Sequence, residues 1–140
     1  MAVTANQIVK RQGRDGKRVS VGAAASKNIY GGTLVFLDAG GDGTDVKVDA
    51  NTVFAGISVQ QVDNSSGADN DLQVELYADG VFELPITLTD RSDIGSAVHA
   101  SDNYTPTLTT TANPRIGTLV GFVSTSVGLV QIAGLGEVPA

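Results

Sequence analysis

The chain has 140 residues, of which 41% are hydrophobic, 17% charged and 5% aromatic, with no Cys, no Trp and a single His, His99. Those absences exclude cysteine nucleophiles, disulfide frameworks, iron–sulfur clusters and Cys/His zinc sites, and without a run of about 18 apolar residues or a charged-then-apolar leader a soluble chain with no membrane span is expected. The net charge of −6 hides a split, because residues 1–27 carry +5 and residues 28–140 carry −11, an asymmetry typical of a terminal arm that meets an acidic partner.

Residues 1–27 read as a basic arm carrying Lys10, Arg11, Arg14, Lys17 and Arg18, with one short helical turn expected near Ala2–Gln12. The first strand is expected at Arg18–Val21, followed by a small, polar loop over Gly22–Asn28. From residue 28 onward short Val, Ile, Leu and Thr runs punctuated by Gly have the texture of an all-β domain. Strands are expected at Thr33–Leu37, Asp45–Val48, Val53–Val59, Leu72–Ala78, Val81–Leu84, Ser96–Ala100, Ile116–Val123 and Val127–Ala133. Leu72, Val74, Leu76 and Ala78 alternate with polar neighbours at the strand period of two. Asp79-Gly80 predicts a hairpin turn between that strand and the next, and Ser65–Asp71 is loop by composition. Such spacing predicts a small β-barrel or sandwich, residues 28–140, with an extended N-terminal arm. Phe36, Phe54, Phe82 and Phe122 are its expected core aromatics.

Chemistry-bearing clusters are few. Asp38, Asp42 and Asp45 on the loop Asp38–Asp45 offer hard oxygen ligands on a glycine-rich turn, the pattern that Ca²⁺ needs. The loop nevertheless departs from an EF-hand at Gly40 and from the nonapeptide calcium repeat at Lys47, so a solvated turn is the preferred reading and no metal or other cofactor is expected. Asp90 with Asp93, and Glu75 with Glu83, are available carboxylate pairs, but no spacing separates them from solvation. His99 has no nucleophile elbow to serve and is read as structural. Lys10–Arg18 contains no aromatic for base stacking, so an acidic protein surface and not nucleic acid is its expected partner, and loss of residues 1–20 is expected to leave the domain folded.

Four runs occur in order: Phe54-Ala55-Gly56-Ile57, Gly80-Val81-Phe82-Glu83-Leu84-Pro85, Ile94-Gly95-Ser96-Ala97-Val98 and Ile116-Gly117-Thr118-Leu119-Val120-Gly121. Over roughly residues 29–133 this succession resembles the tailed-bacteriophage capsid decoration, or cement, proteins. His99 stands where members commonly carry an aromatic, and the Asp38–Asp45 loop is longer and more acidic. The resemblance implies a non-enzymatic structural protein on the outer surface of the virion capsid. It implies a homo-oligomer, with a trimer expected, that binds the major capsid protein of the phage head and stabilises contacts between its subunits. The alternative reading is a Ca-dependent or carbohydrate-binding β module built on the acidic loop.

Overall fold

A computed structural model describes residues 3–7, 10–12 as backbone, and 17–136. It is all-β. Among the described residues thirteen strands run in chain order: β1 Lys10–Gln12, β2 Arg18–Gly22, β3 Lys27–Ile29, β4 Leu34–Leu37, β5 Gly43–Thr44, β6 Val53–Ser58, β7 Val62–Asn64, β8 Gln73–Tyr77, β9 Asp79–Pro85, β10 Ala97–Ala100, β11 Pro106–Thr107, β12 Arg115–Ser124 and β13 Val127–Ala133. Helical structure among the described residues is limited to one 3₁₀ turn, Arg91–Asp93, and no helix there is long and apolar enough to cross a membrane.

The strands form two antiparallel sheets and a ribbon, in the orders β1-β9-β13-β12-β10-β11, β2-β8-β6-β4-β5 and β3-β7. The two sheets pack face to face on a core in which Leu34, Phe36, Phe54 and Ile57 of the second sheet meet Phe82, Val98, Ile116, Leu119 and Val130 of the first. The other face of the second sheet is also covered. Val35, Ala55, Val74 and Leu76 pack there with Ile29 of β3, and Val62 of β7 closes over them.

Strand β6 serves both cores, and its geometry shows how. Alternation alone would put Phe54 and Ile57, three positions apart, on opposite faces, yet both point into the main core. A register shift between Val35 and Phe36, where Val35 faces Gly56 and Phe36 faces Phe54, supplies the extra residue of a β-bulge. Gly56 sits in that bulge at φ +154°, and a Cβ there would lie 2.4 Å from the carbonyl oxygen of Tyr77. Phe36 and Phe54 then meet with tilted rings, centroids 6.1 Å apart.

Most predicted strands are present, with four corrections. First, Asp79-Gly80 does not close a hairpin: β8 belongs to the second sheet and β9 to the first, so the chain crosses between sheets at buried Ala78. Asp79 is already a ladder residue opposite Ala133, and its φ is not among the positive ones, as the tight primed turn would require. Second, Asp45–Val48 is not a strand. Pairing stops at Thr44, because the hydroxyl of Thr44 accepts from the N–H of Val46 and that of Thr52 from the N–H of Val48. Third, the predicted loop Gly22–Asn28 carries the start of β3, which pairs with β7; two three-residue strands give no alternation to read. Fourth, the predicted helical turn near Ala2–Gln12 is replaced over residues 10–12 by β1, which pairs with Val81–Glu83 of β9.

The backbone specialisation at Gly56 leads to a stability test. Gly56→Ala should cost about 2 kcal/mol or more, since the side chain meets backbone on the neighbouring strand and the bulge has no room to yield. Denaturant unfolding of the two forms checks it, and an unchanged midpoint would contradict the assigned role of the bulge.

Candidate functional site

The acidic loop leaves the second sheet at the end of β4 and re-enters it at β5. Its turn is built by Asp38, whose Oδ1 accepts from the N–H of Gly40 at 2.9 Å and of Asp42 at 3.0 Å. Gly41 takes the left-handed conformation at φ +85°, which glycine adopts without penalty. Beside this turn lies the loop Ser65–Asp71, held by a buried amide. Asn64 is 2% exposed, and its Nδ2 donates to the carbonyl oxygens of Ala24 and Ala68, both at 3.0 Å, with Ala23 at 3.3 Å. Asp69 in that loop accepts from the N–H of Ala25 at 2.8 Å, and the N–H of Ala24 donates to Gly43 at 2.8 Å. Residues 23–25 are thereby clamped between the two loops.

This clamp brings Asp38, Asp42 and Asp69 together, with one carboxylate oxygen of each within 4.8 Å of the others. The predicted trio Asp38, Asp42 and Asp45 is therefore corrected at its third member. Asp45 turns away to form an ion pair with Lys27 at 3.1 Å, and Asp69 takes its place. Nothing local in the sequence marks Asp69 beyond the loop composition around it, because the approach depends on the Asn64 hydrogen bonds. Partial loss of water, then the negative charges of Asp69 and Asp38, raise the pKa of Asp42 above the ordinary aspartate value.

Next to the carboxylates opens a cleft of about 650 Å³. Its apolar wall is formed by Leu37, Val46, Val48 and Val53, and its acidic rim by Asp38, Asp49 and Asp69. Lys47, between two wall valines, points elsewhere: its Nζ donates to the carbonyl oxygen of Ala112 and to Asn113 Oδ1, both at 2.9 Å.

The other candidates resolve into structural roles. Asp90 caps the 3₁₀ turn by accepting from the N–H of Ser92 at 2.7 Å, and Asp93 accepts from the N–H of Thr89 at 2.7 Å. The Ser92 hydroxyl and then its N–H hold Asp90 below the usual carboxylate range, as Ser65 does for Asp63. Glu75 and Glu83 lie on strands of different sheets. His99 Nδ1 faces the carbonyl oxygen of Asn113 at 3.0 Å, so that nitrogen carries the proton and the ring is a fastener.

The basic residues lie along sheet edges where they are described. Lys10 and Arg11 belong to β1, the edge strand of the first sheet. Lys17 donates its backbone N–H to Asp79 Oδ1 at 2.5 Å and accepts from Ala78 N–H at 2.8 Å. Arg18 reaches Glu75 at 3.2 Å and lies over the Tyr77 ring, 5.0 Å from its centroid. Arg14 lies outside the described residues. Since β2 pairs with β8 from Arg18 to Gly22, and Val19 and Val21 pack on the second core, loss of residues 1–20 would remove part of the sheet. This pairing runs against the expectation that such a truncation leaves the domain folded.

Compared with protein-family models, curated proteins and solved structures, the chain matches none.

Two substitutions test the site. Asn64→Ala removes a donor from the carbonyl groups of Ala23, Ala24 and Ala68, of which Ala23 and Ala68 keep the backbone N–H groups of Asn70 and Asp71, and should cost about 2 kcal/mol, measured by thermal unfolding. Asp42→Asn should act in the opposite direction. A carboxyl whose folded pKa is raised destabilises the fold where it is charged in both states, so removing its charge should raise the melting temperature at neutral pH. That gain should shrink as pH falls through the raised pKa and vanish below about pH 3, where the unfolded aspartate is also protonated.

Proposed function

We propose that this protein is a structural capsid decoration (cement) protein, which binds the outer surface of a phage head as an oligomer, most simply a trimer, and stabilises contacts between major capsid subunits. The observation that carries the reading is the ordered set of four apolar and glycine runs. In the folded chain they contribute to β6, β9, β10 and β12, strands that line the shared core, so the resemblance follows the framework of the domain and not its loops. A clamp of this kind needs a stiff β body with exposed docking surfaces. It has no use for a titrating base, in keeping with the structural roles of His99, Asp90 and Asp93.

One specific observation favours a second reading, a Ca-dependent or carbohydrate-binding β module: the gathering of Asp38, Asp42 and Asp69. A rise in melting temperature in millimolar Ca²⁺, absent in Asp69→Asn, would support it.

The capsid reading is tested by mixing purified protein with undecorated phage heads and sedimenting them. Stoichiometric recovery with the heads is expected, and failure to co-sediment would overturn the proposal. Charge reversal at Arg11 and Arg14 should slow association, because basic side chains steer a protein toward an acidic surface more than they set its final affinity.

A further inference from the structure

Seven large apolar side chains are exposed among the described residues, and three of them, Val46, Val48 and Val53, at 47%, 77% and 48%, line one cleft. Exposed apolar residues scattered singly need no explanation, whereas a concentration of them in a concave surface marks an interaction site. At about 650 Å³, the cleft falls within the usual range of ligand pockets, roughly 300–1,000 Å³.

The fold holds these side chains in place. Lys47 is fastened by Ala112 and Asn113, while Val46 and Val48 on either side of it line the cleft. The backbone at this edge is already occupied: Thr44 Oγ1 takes the N–H of Val46 at 3.3 Å, and Thr52 Oγ1 takes those of Val48 and Asp49 at 2.9 and 3.0 Å. A visiting strand finds no row of free donors here, so recognition falls to side chains.

Charge selects the occupant. The only basic residue lining the cleft among those described is Lys27, which is paired with Asp45. Asp38, Asp49 and Asp69 stand at the rim with no cation paired to them among the described residues. Their described side-chain hydrogen bonds are all to backbone N–H groups, which leave the negative charge in place.

We propose that this cleft docks a basic, aliphatic peptide segment of a partner protein, the aliphatic side chains and methylene stems lying on Val46, Val48 and Val53 and the cationic heads meeting the carboxylates of Asp38, Asp49 and Asp69. Long basic side chains suit such a site because they cover apolar surface with their stems while the charge stays in water. This inference does not rest on the capsid reading and applies to any partner that presents such a segment.

The test uses the isotope-labelled full chain and two capped pentapeptides, one alternating leucine with lysine and arginine, the other carrying glutamate in place of each base. Shift perturbation by NMR should map the basic peptide to residues 37–53 and 69, with no response to the acidic one. Val48 is largely solvent-exposed, so Val48→Ser should leave the fold intact, and with Val53→Ser it should weaken binding about tenfold through lost apolar contact. Asp38→Asn and Asp69→Asn should each weaken it up to about fivefold, the scale of an exposed ion pair, and added salt should reproduce the effect. Equal binding of both peptides, or affinity indifferent to Val48→Ser, would overturn the proposal. So would Ca²⁺ alone shifting the three aspartates while the basic peptide does not bind, which would make the cluster a metal site. A concentration-dependent dimer dissolved by Val48→Ser, again without peptide binding, would assign the face to a second copy of this chain.

Discussion

The two-sided burial of the β4–β6 pair is the constraint on which the rest of this structure depends. One face of the pair, with Leu34, Phe36, Phe54 and Ile57, belongs to the core between the sheets, and the other, with Val35 and Ala55, to the core beneath the ribbon. A fully buried aliphatic or aromatic side chain contributes about 1.5–3 kcal/mol, so both faces must stay dry, and residues 33–37 and 53–58 contain no charged side chain. The polar groups that remain are satisfied locally: the hydroxyls of Thr33 and Ser58 both donate to the carbonyl oxygen of Tyr30, at 2.8 and 2.5 Å. Charge is thereby displaced to the strand ends, and the acidic loop begins at the first position beyond β4, Asp38.

The basic N-terminal segment answers a different requirement of the same architecture. Each sheet has an edge on which unpaired backbone groups invite association. On one side β1 closes the first sheet and β2 closes the second, both drawn from residues 10–22. On the other side the edges are β11 and β5, only two residues each, too short to template a further strand. The contact between Arg18 and Glu75 is about half exposed at both side chains, 48% and 47%, so it is worth at most about 1 kcal/mol. Its service is to mark β2 as a charged edge. The positive charge seen in the sequence as a property of an arm is also a property of sheet borders.

What was legible in the sequence was whatever depends on near neighbours. The alternation of Val74 and Leu76 with Gln73, Glu75 and Tyr77 gave β8, and the long runs gave β12 and β13, because a strand's two faces are recorded at period two. The Asp79-Gly80 hairpin failed for a reason that lies elsewhere in the chain. β8 pairs with β2 and β6 in the second sheet while β9 pairs with β13 and β1 in the first, so strand pairing with distant segments overrides a local turn preference. The terminal run Ile132–Leu135 shows the same override. Ile132 is core, Gly134 donates to the carbonyl oxygen of Ala78 at 2.7 Å and Leu135 to that of Ala55 at 3.0 Å, so the apolar character of the run is directed inside the molecule.

The candidate site was the least legible part because it is assembled by polar contacts between distant loops. Asn64 sets the position of Asp69 through three carbonyl groups. Asn113 does the corresponding work on the other flank: it receives Lys47 on its side chain, its Nδ2 donates to Thr109 at 3.0 Å, and its carbonyl oxygen meets His99 at 3.0 Å. Each is a buried amide, at 2% and 7% exposure, and a buried amide persists only where its partners are in place. Read alone, Asn64 and Asn113 are polar residues next to turns and carry no sign of this role. The anchoring of Lys47 has a consequence for the cleft as well. Lys47 sits between Val46 and Val48 of the cleft wall, so the link from His99 through Asn113 to Lys47 holds that wall beside the acidic rim. The lone histidine thus bears on the candidate site through hydrogen bonds, by way of the backbone carbonyl of Asn113, and without touching the cleft.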